Sequence, residues 1–206
     1  MKVASTYEEL IPGKNYAGYI FDCDGTLADS MELHYQAWTH ALQTSETPVP
    51  FSFELMSSWG GMSMEETIDR LNRQFGSSLQ PDEVRQALNQ YHEKHLKDVK
   101  PHAATLKLAR HLAQDHPVSV ASGGSKEHVR TILRAIKADD IFRIVMTPEF
   151  VPRSKPAPDL FLEAAKRMGV DARQCLVYED SPVGIEAAQK AGMDFIQVSF
   201  PRIQSE

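Results

Sequence analysis

Short apolar runs alternate with segments of helical periodicity along most of this chain. Continuous apolar runs predict short buried strands at 19–21, 118–121, 144–146, 175–178 and 195–198. Apolar residues at helical spacing predict helices over 103–114, 126–137, 159–168 and 182–191. This alternation, with nearly continuous apolar strands, is typical of a parallel sheet that helices cover on both faces. The pattern therefore predicts an α/β protein.

Three further helices are predicted between the first strand and the rest of the alternation. They span 30–43, 63–75 and 81–97. Ser30 is a natural N-cap for the first of them, and Gly76 closes the second. We therefore expect a small helical cap at 30–98, inserted after the first strand into a core built from 1–29 and 99–206.

Composition narrows the possible classes of protein. With 206 residues, of which 42% are hydrophobic and 24% charged, the chain resembles an ordinary globular protein with one sizeable core and a small accessory domain. A net charge of −6 argues against binding to nucleic acid, which depends on clustered Lys and Arg. No stretch approaches the roughly 18 apolar residues of a membrane span, and the N-terminus does not read as a signal peptide. We expect a cytoplasmic protein without a membrane partner.

Asp22 and Asp24 follow the first predicted strand and are separated by one residue. A Gly-Thr turn comes directly after them, so the chain can curl back and direct both carboxylates to one point above the sheet edge. One carboxylate could attack phosphorus, while the other protonates the departing alkoxide and then deprotonates a water molecule. Two neighbouring anions need a counter-charge, and Mg²⁺ is the cation expected for oxygen ligands. The alternative is an ordinary strand that ends in an Asp-Gly turn.

Other polar residues follow the predicted strands in the same way. Ser122, Glu179 and Asp180 each come at or just after the end of a predicted strand. Because ligands of parallel α/β sheets bind beyond the carboxyl ends of the strands, these side chains can converge with the two aspartates. Lys155 follows a shorter strand and a Pro-rich loop, and the sequence alone does not establish whether it reaches the same rim.

These strand-end residues belong to four sequence motifs. In chain order they are Asp22-Cys23-Asp24-Gly25-Thr26-Leu27, Ser122, Lys155-Pro156-Ala157-Pro158-Asp159 and Glu179-Asp180-Ser181. Together they cover nearly the whole chain, and in type and order they resemble the motifs of the haloacid dehalogenase-like hydrolase superfamily. The resemblance implies a Rossmann-like parallel-sheet core with a helical cap, phosphate ester chemistry through an aspartyl phosphate, and Mg²⁺ as cofactor.

The resemblance also implies a role for each carboxylate. Asp22 is expected to be the nucleophile and a metal ligand, and Asp24 the general acid and base, with its backbone carbonyl as a further metal ligand. Asp180 and Glu179 are expected to complete the metal site, directly or through water. Alternatively, these two acidic residues serve the N-terminus of the helix predicted to start near Ser181.

The loop after the strand at 118–121 carries the predicted phosphate site. Ser122, with the amides of Gly123 and Gly124, is expected to hold phosphoryl oxygens, since a hydroxyl group and consecutive N–H groups at a helix N-terminus favour an anion. A helix N-cap in the same loop is the alternative. Lys155 is expected to balance the charge of the nucleophile and of the phosphoryl group.

One of the eight histidines is a candidate for the site. His34 falls at the expected cap hinge, where the sugar phosphomutases that this stretch resembles have a histidine near the transferred phosphoryl group. We therefore expect it to bind substrate. His92, His95, His111 and His116 lack a matching acidic partner in a metal-binding motif, and we expect them to lie at the surface.

Within the superfamily the chain is most similar to bacterial fructose-1-phosphatase-like sugar phosphatases of the β-phosphoglucomutase-like subfamily. A Mg²⁺-dependent phosphomonoesterase that acts on a small phosphorylated metabolite is therefore expected, with a monomer favoured. A β-phosphoglucomutase is the alternative. However, Gly61-Met62-Ser63-Met64 stands where mutases have Gly-x-Ser-Arg, and this change removes a bidentate phosphate clamp. Lys126 or Lys94 could supply a substitute cation. A catalytically silent binding protein is a third hypothesis, and the intact acidic and basic motif residues argue against it.

Overall fold

Eight strands are found in the computed structural model of this protein, which describes residues 3–43, 49–59 and 62–200. They are β1 (Val3–Ala4), β2 (Gly18–Phe21), β3 (Ala28–Asp29), β4 (Lys100–Pro101), β5 (Val118–Ala121), β6 (Ile144–Met146), β7 (Cys175–Glu179) and β8 (Asp194–Val198). All except β3 and β4 form one sheet in the order β1-β8-β7-β2-β5-β6, in which every neighbouring pair is parallel. The predicted parallel α/β sheet is confirmed.

Helices cover both faces of this sheet. The α-helices in the described part of the chain, including those of the separate helical segment, are α1 (Tyr7–Leu10), α2 (Met31–Gln43), α3 (Phe53–Ser58), α4 (Met64–Phe75), α5 (Pro81–His95), α6 (Ala103–Leu112), α7 (Lys126–Ala135), α8 (Asp159–Met168) and α9 (Pro182–Lys190). Apolar side chains of α1, α6 and α7 share one hydrophobic cluster with the sheet, and those of α8 and α9 share another. None of the described helices combines the length and the hydrophobicity that a membrane span requires.

The three central strands of the sheet end level with one another. Phe21 of β2 lies opposite Tyr178 of β7 and Val120 of β5. Every position of these strands is buried, because helices cover both faces of the sheet. Asp22 and Glu179, the next positions along their chains, therefore emerge side by side at the carboxyl rim.

Helices α2 to α5 enclose a hydrophobic core of their own. Its buried side chains all come from the segment 37–88, with Trp38, Ile68 and Leu71 among them. Helix α4 starts after Ser63, whose hydroxyl oxygen accepts from the Glu66 amide, and ends at Gly76 with φ of 66°. Both predicted ends of this helix are confirmed. The division of the chain into 30–98 and the remainder stays a prediction.

The two segments that connect these helices to the sheet pair with each other. Strands β3 and β4 form a separate two-stranded antiparallel sheet, in which Ala28 lies opposite Pro101. Next to it, the His102 amide donates to the Leu27 carbonyl oxygen at 2.9 Å. The apolar pattern predicts neither strand, because two residues are too few to show a periodicity.

The structure differs from the sequence-based expectation in other short elements. Strand β1 pairs with β8 at the edge of the sheet, so the helical segment follows the second sheet strand in chain order. Helices α1 and α3, of 4 and 6 residues, are not predicted. Ser30, the expected N-cap of α2, donates its hydroxyl hydrogen to Asp24 Oδ1 at 2.6 Å.

Candidate active site

Lys155 joins two carboxylates at the rim of the sheet. Its Nζ donates to Asp22 Oδ1 at 2.6 Å and to Glu179 Oε2 at 2.7 Å. The exposed fractions are 0% for Lys155 and Glu179 and 4% for Asp22. The loop that follows β6 thus brings Lys155 to the same rim as the strand-end carboxylates, a contact that the sequence alone does not establish.

The charges of Lys155, Asp22 and Glu179 lie close enough to shift the pKa values of Asp22 and Lys155. Burial, followed by the charge of Glu179, raises the pKa of Asp22 well above its usual value, and Lys155 acts in the opposite direction. Burial alone would lower the pKa of Lys155, but Asp22 and Glu179 hold it above its usual value. Lys155 is therefore protonated, and it balances only part of the negative charge around it.

Glu179 is fixed by its neighbours as well as by Lys155. Its Oε1 accepts from the Ser181 hydroxyl at 2.7 Å and from the Ser181 amide at 3.1 Å. A Cβ atom at Gly184 in α9 would lie 2.1 Å from Glu179 Cδ. Helix α9 can approach the carboxylate this closely only because position 184 is a glycine.

Asp180 packs against the turn that follows Asp22. Thr26 Oγ1 donates to Asp180 Oδ1 at 3.0 Å. Gly25 has φ of 85°, and a Cβ atom there would lie 2.3 Å from Asp180 Oδ2. Burial and then the charge of Glu179 raise the pKa of Asp180 to about 7. The Gly-Thr turn thus determines how close the two strand ends approach.

Three of these carboxylates could hold a metal ion. One oxygen of each of Asp22, Glu179 and Asp180 lies within 4.8 Å of the others. When ionised, the three carboxylates carry more negative charge than the single ammonium of Lys155 balances. A set of buried carboxylate oxygens with excess negative charge fits a hard divalent cation such as Mg²⁺. The predicted metal ligands are thus brought together, except for the side chain of Asp24.

The Asp24 carboxylate takes part in a different set of contacts. Besides the Ser30 hydroxyl, His128 Nε2 lies 3.2 Å from Oδ1 and 3.3 Å from Oδ2. Burial alone would raise the pKa of Asp24, but His128, with smaller contributions from His34 and Ser30, holds it well below the usual range. Asp24 is therefore ionised and oriented by core helix α7, on which His128 lies.

The predicted phosphate loop faces the same space. Ser122 is 2% exposed, and its hydroxyl oxygen accepts from the Gly124 amide at 3.1 Å. The N-cap of α7 is Ser125, whose hydroxyl oxygen accepts from the His128 amide. Since Ser125 caps the helix, Ser122 is not its N-cap. Ser122, Gly123 and Gly124 all line one cavity together with Asp22.

That cavity lies between the sheet rim and helices α2 to α5, and its volume is about 380 Å³. Apolar side chains from the helical segment form much of its wall: Met31, Trp38, Phe51, Met56, Trp59, Met62, Met64 and Leu88. Its polar lining includes Asp24, Asp180 and His34. Among the described lining residues, Arg85 is the only Arg or Lys, and it pairs with Glu65 Oε1 at 2.9 Å.

The lining residues that the sequence reasoning misses include His92, His128 and Arg85. His92 is 7% exposed and lines the cavity, so its expected surface position is wrong. The spacing Val84, Leu88, His92 on α5 is a signal for a buried face that could have located it. His128 and Arg85 carry no local signal, because only the folded chain places them at the cavity.

The chain departs from the mutase pattern at 61–64, and the structure describes only part of this segment. Gly61 lies outside the described residues. Met62 and Met64 line the cavity, and Ser63 caps α4. Lys94 and Lys126, the suggested substitute cations, are not among the described lining residues. No described side chain at this segment offers a bidentate phosphate clamp.

The sequence is similar to a known protein family and to two known proteins over most of its length. The family model for haloacid dehalogenase-like hydrolases matches residues 19–198. Fructose-1-phosphate phosphatase YqaB of Escherichia coli is 30% identical over 188 residues, which cover 90% of this chain and 97% of that protein. β-Phosphoglucomutase of Bacillus subtilis is 27% identical over 181 residues, covering 84% of this chain and 79% of that protein.

The fold is also shared with solved structures. A hydrolase from Pseudomonas syringae superposes with a TM-score of 0.80 at 27% identity, covering 88% of this chain and 84% of that one. Both kinds of comparison span nearly the whole chain. The sheet and the helical segment therefore belong to one shared architecture.

Proposed function

This chain belongs to the haloacid dehalogenase-like hydrolase family, and from that membership we propose that it is a Mg²⁺-dependent phosphomonoesterase. It acts on a small sugar phosphate resembling fructose 1-phosphate, through an aspartyl phosphate on Asp22. The observation that carries the proposal is the buried contact of Lys155 Nζ with Asp22 Oδ1 at 2.6 Å, beside two further carboxylates. The similarity to a fructose-1-phosphate phosphatase over most of both chains supports it.

Asp22 is the proposed nucleophile. Lys155 takes one carboxylate oxygen, which orients the group and leaves the other oxygen to attack phosphorus. The attack forms a bond from Asp22 to phosphorus and breaks the bond to the leaving-group oxygen, which departs with the electron pair. The charge of Lys155 favours the transfer, because it balances charge on the phosphoryl group.

Asp24 is the proposed general acid and base. It takes up a proton from solvent before the transfer, passes that proton to the leaving-group oxygen, and then removes a proton from the water molecule that hydrolyses the aspartyl phosphate. The contacts with Ser30 and His128 orient its carboxylate. They also favour the ionised form, which is the form that the second step requires.

Asp22, Glu179 and Asp180 are the proposed Mg²⁺ ligands, together with the backbone carbonyl of Asp24. The three carboxylate oxygens that lie within 4.8 Å of one another support this assignment. When bound, Mg²⁺ would supply positive charge to the phosphoryl oxygens and to the carboxylates.

The remaining predicted residues are proposed to bind the substrate. Ser122, Gly123 and Gly124 line the cavity next to Asp22 and would hold phosphoryl oxygens. His34 lines the same cavity from α2. We further propose that 30–98 is a cap that closes over the substrate and excludes water, since helices from this segment form one wall of the cavity.

Hydrolysis is favoured over mutase chemistry by the charges in the cavity. A mutase must hold a second phosphate at a distance from the reacting one. Arg85, the only Arg or Lys among the described lining residues, is already paired with Glu65. A distal phosphate would have to compete with that carboxylate.

Phosphate release from a panel of sugar phosphates, with and without Mg²⁺, tests the proposal. The panel includes fructose 1-phosphate and β-glucose 1-phosphate, with a coupled assay for glucose 6-phosphate. Metal-dependent release is expected, and Asp22→Asn should abolish it because an amide is a far weaker nucleophile. Asp115→Asn is the matched control, since this exposed residue precedes β5 at the opposite edge of the sheet and should leave the rate unchanged.

Two results would contradict the proposal. Formation of glucose 6-phosphate with little free phosphate would identify a mutase instead. Release that persists in Asp22→Asn, or that is equal in EDTA and in Mg²⁺, would exclude the proposed nucleophile or the proposed metal site.

A further inference from the structure

Three histidine side chains from three helices meet beside Asp24. His34 comes from α2, His92 from α5 and His128 from α7. The ring centroids of His92 and His128 lie 4.7 Å apart, those of His34 and His92 5.8 Å, and those of His34 and His128 6.0 Å. All three line the cavity that contains Asp22 and Asp24. We call them the histidine cluster.

Each member of the histidine cluster has a buried ring nitrogen with no hydrogen-bond partner in the described structure. These atoms are Nδ1 of His34, Nε2 of His92 and Nδ1 of His128. His92 is 7% exposed, and the side chain of His128 is 9% exposed. Buried polar atoms nearly always have partners, so three unpaired nitrogens on residues that line one cavity indicate a ligand that offers several hydrogen-bonding groups.

The other contacts of two of the rings place protons on particular nitrogens. Trp38 Nε1 donates to His34 Nε2 at 3.1 Å. Since an indole N–H only donates, His34 carries its proton on Nδ1, and its unpaired nitrogen is a donor. His128 Nε2 faces the carboxylate of Asp24, which accepts, so Nε2 carries a proton. The unpaired Nε2 of His92 donates or accepts according to the tautomer of that ring. The cluster therefore offers a donor at His34 and a second hydrogen-bonding nitrogen at His92.

Such a pair of groups matches hydroxyl groups better than anions. Burial lowers the pKa of His34 to about 4 and that of His92 to about 3, so both rings are neutral near pH 7. A hydroxyl group donates and accepts, as a neutral imidazole does. Among the described lining residues a second phosphate would find one Arg or Lys, Arg85, and would have to displace Glu65 from it.

The position beside Asp24 identifies the part of the substrate concerned. In the proposed function Asp24 protonates the leaving-group oxygen, so the atoms attached to that oxygen extend along the histidine cluster. We propose that the histidine cluster is a subsite for the hydroxyl groups of the leaving alcohol, and that the substrate is therefore a monophosphate of a sugar or polyol without a second phosphate. This inference rests on the proposed phosphatase function and adds the class of leaving group.

Two substrates and a set of histidine variants test the subsite. One substrate is the sugar phosphate that the wild-type enzyme hydrolyses with the highest kcat/KM, and the other is 4-nitrophenyl phosphate, which has no hydroxyl group. His92→Phe keeps a ring of similar shape without nitrogens. We expect kcat/KM for the sugar phosphate to fall about tenfold, the effect of one lost hydrogen bond. For 4-nitrophenyl phosphate we expect a change of less than about twofold.

Two further variants complete the design. His92→Gln places an amide group near the position of Nε2 and should recover part of the loss for the sugar phosphate. His95→Phe makes the same substitution on the same helix at an exposed position outside the cavity, and it should change neither substrate.

The outcomes separate this inference from the proposed function. A loss confined to the sugar phosphate and recovered by His92→Gln supports the subsite. Equal losses for both substrates would show that His92 has only a structural role and would overturn it. Wild-type hydrolysis of 4-nitrophenyl phosphate but of no sugar or polyol phosphate would also overturn it, while the phosphatase function stands. No hydrolysis of any phosphate ester would overturn both.

Discussion

Lys155 is a single buried cation between two buried carboxylates, so its removal should cost more than the loss of an ordinary contact. In Lys155→Met the carboxylates of Asp22 and Glu179 remain without their shared donor. Breaking a buried ion pair on one side costs about 3–5 kcal/mol, because the remaining charge stays desolvated. We expect a decrease of that size in the free energy of unfolding, measured by urea titration in EDTA.

An exposed lysine of the next helix provides the comparison. Lys166 lies on α8 with 79% of its side chain exposed, and it pairs with Glu163 at 3.6 Å. Lys166→Met should leave the unfolding free energy almost unchanged, since exposed ion pairs contribute little. Similar values for the two variants would mean that the buried contact adds nothing to the stability of the fold.

The histidine residues show how far single positions can be interpreted from sequence. Only a resemblance places His34 at the site. His92, although polar, occupies a position that the apolar spacing of α5 assigns to the buried face of the helix. Residue type favours the surface for a lone histidine, but the helical face on which it lies decides its burial. His128 meets Asp24 across 104 positions of the chain, a contact that no local pattern contains.

At the scale of elements, the capping box of α4 provides a quantitative test. Ser63 Oγ accepts from the Glu66 amide at 3.2 Å, and Glu66 Oε2 accepts from the Ser63 amide at 3.3 Å. Ser63→Ala leaves the Glu66 amide of the first turn without its side-chain acceptor, which costs about 1 kcal/mol. We expect that decrease in unfolding free energy in a urea titration.

Matched serine variants separate capping from the loss of any hydroxyl group. Ser63→Asp keeps an acceptor at the N-cap and should recover most of the stability. Ser58→Ala removes a hydroxyl that donates to the Leu55 carbonyl oxygen near the end of α3, and it should have a smaller effect. If Ser63→Asp were as unstable as Ser63→Ala, the N-cap would not account for the loss.

Elements that carry an apolar run or a helical spacing of their own can be predicted from this sequence, and two-residue strands cannot. The strands at 118–121 and 144–146 and the helix at 159–168 agree with the structure at both ends. Each is bounded by turn residues and shows either a continuous apolar run or a helical spacing. By contrast, β1, β3 and β4 have two residues each. Their strand conformation depends on a partner strand that is distant in sequence, so no local pattern identifies them.

At the scale of the whole molecule, the site is assembled from segments far apart in the chain. Lys155 contacts Asp22 across 133 positions and Glu179 across 24. The parallel sheet explains why the strand-end carboxylates converge, and that convergence can be predicted from the order of strands and helices. No sequence pattern predicts the path of the loop that carries Lys155. The same holds for the packing of α5 against α7 through His92 and His128.

Burial of His92 should make the stability of the whole protein depend on pH. Burial, with smaller effects of His128 and His34, lowers its pKa from 6.5 to about 3, although Asp24 acts in the opposite direction. Between pH 7 and pH 5 the unfolded chain therefore binds a proton at His92 that the folded protein does not bind. Stability that is present above pH 6.5 is lost as the pH falls, since protons favour the unfolded state.

Other groups titrate in the same range, and the effect of Asp180 on stability has the opposite sign because its pKa is raised. The contribution of His92 is therefore obtained as the difference between the wild type and a variant without this ring. His92→Phe lacks the titrating group. Urea titrations at pH 7 and pH 5 should show that the wild type loses about 2 kcal/mol of unfolding free energy relative to this variant. A difference that is the same at both pH values would mean that the folded protein protonates His92 as readily as the unfolded chain does. The ring would then be open to solvent, and the cap would not be closed over Asp24 in solution.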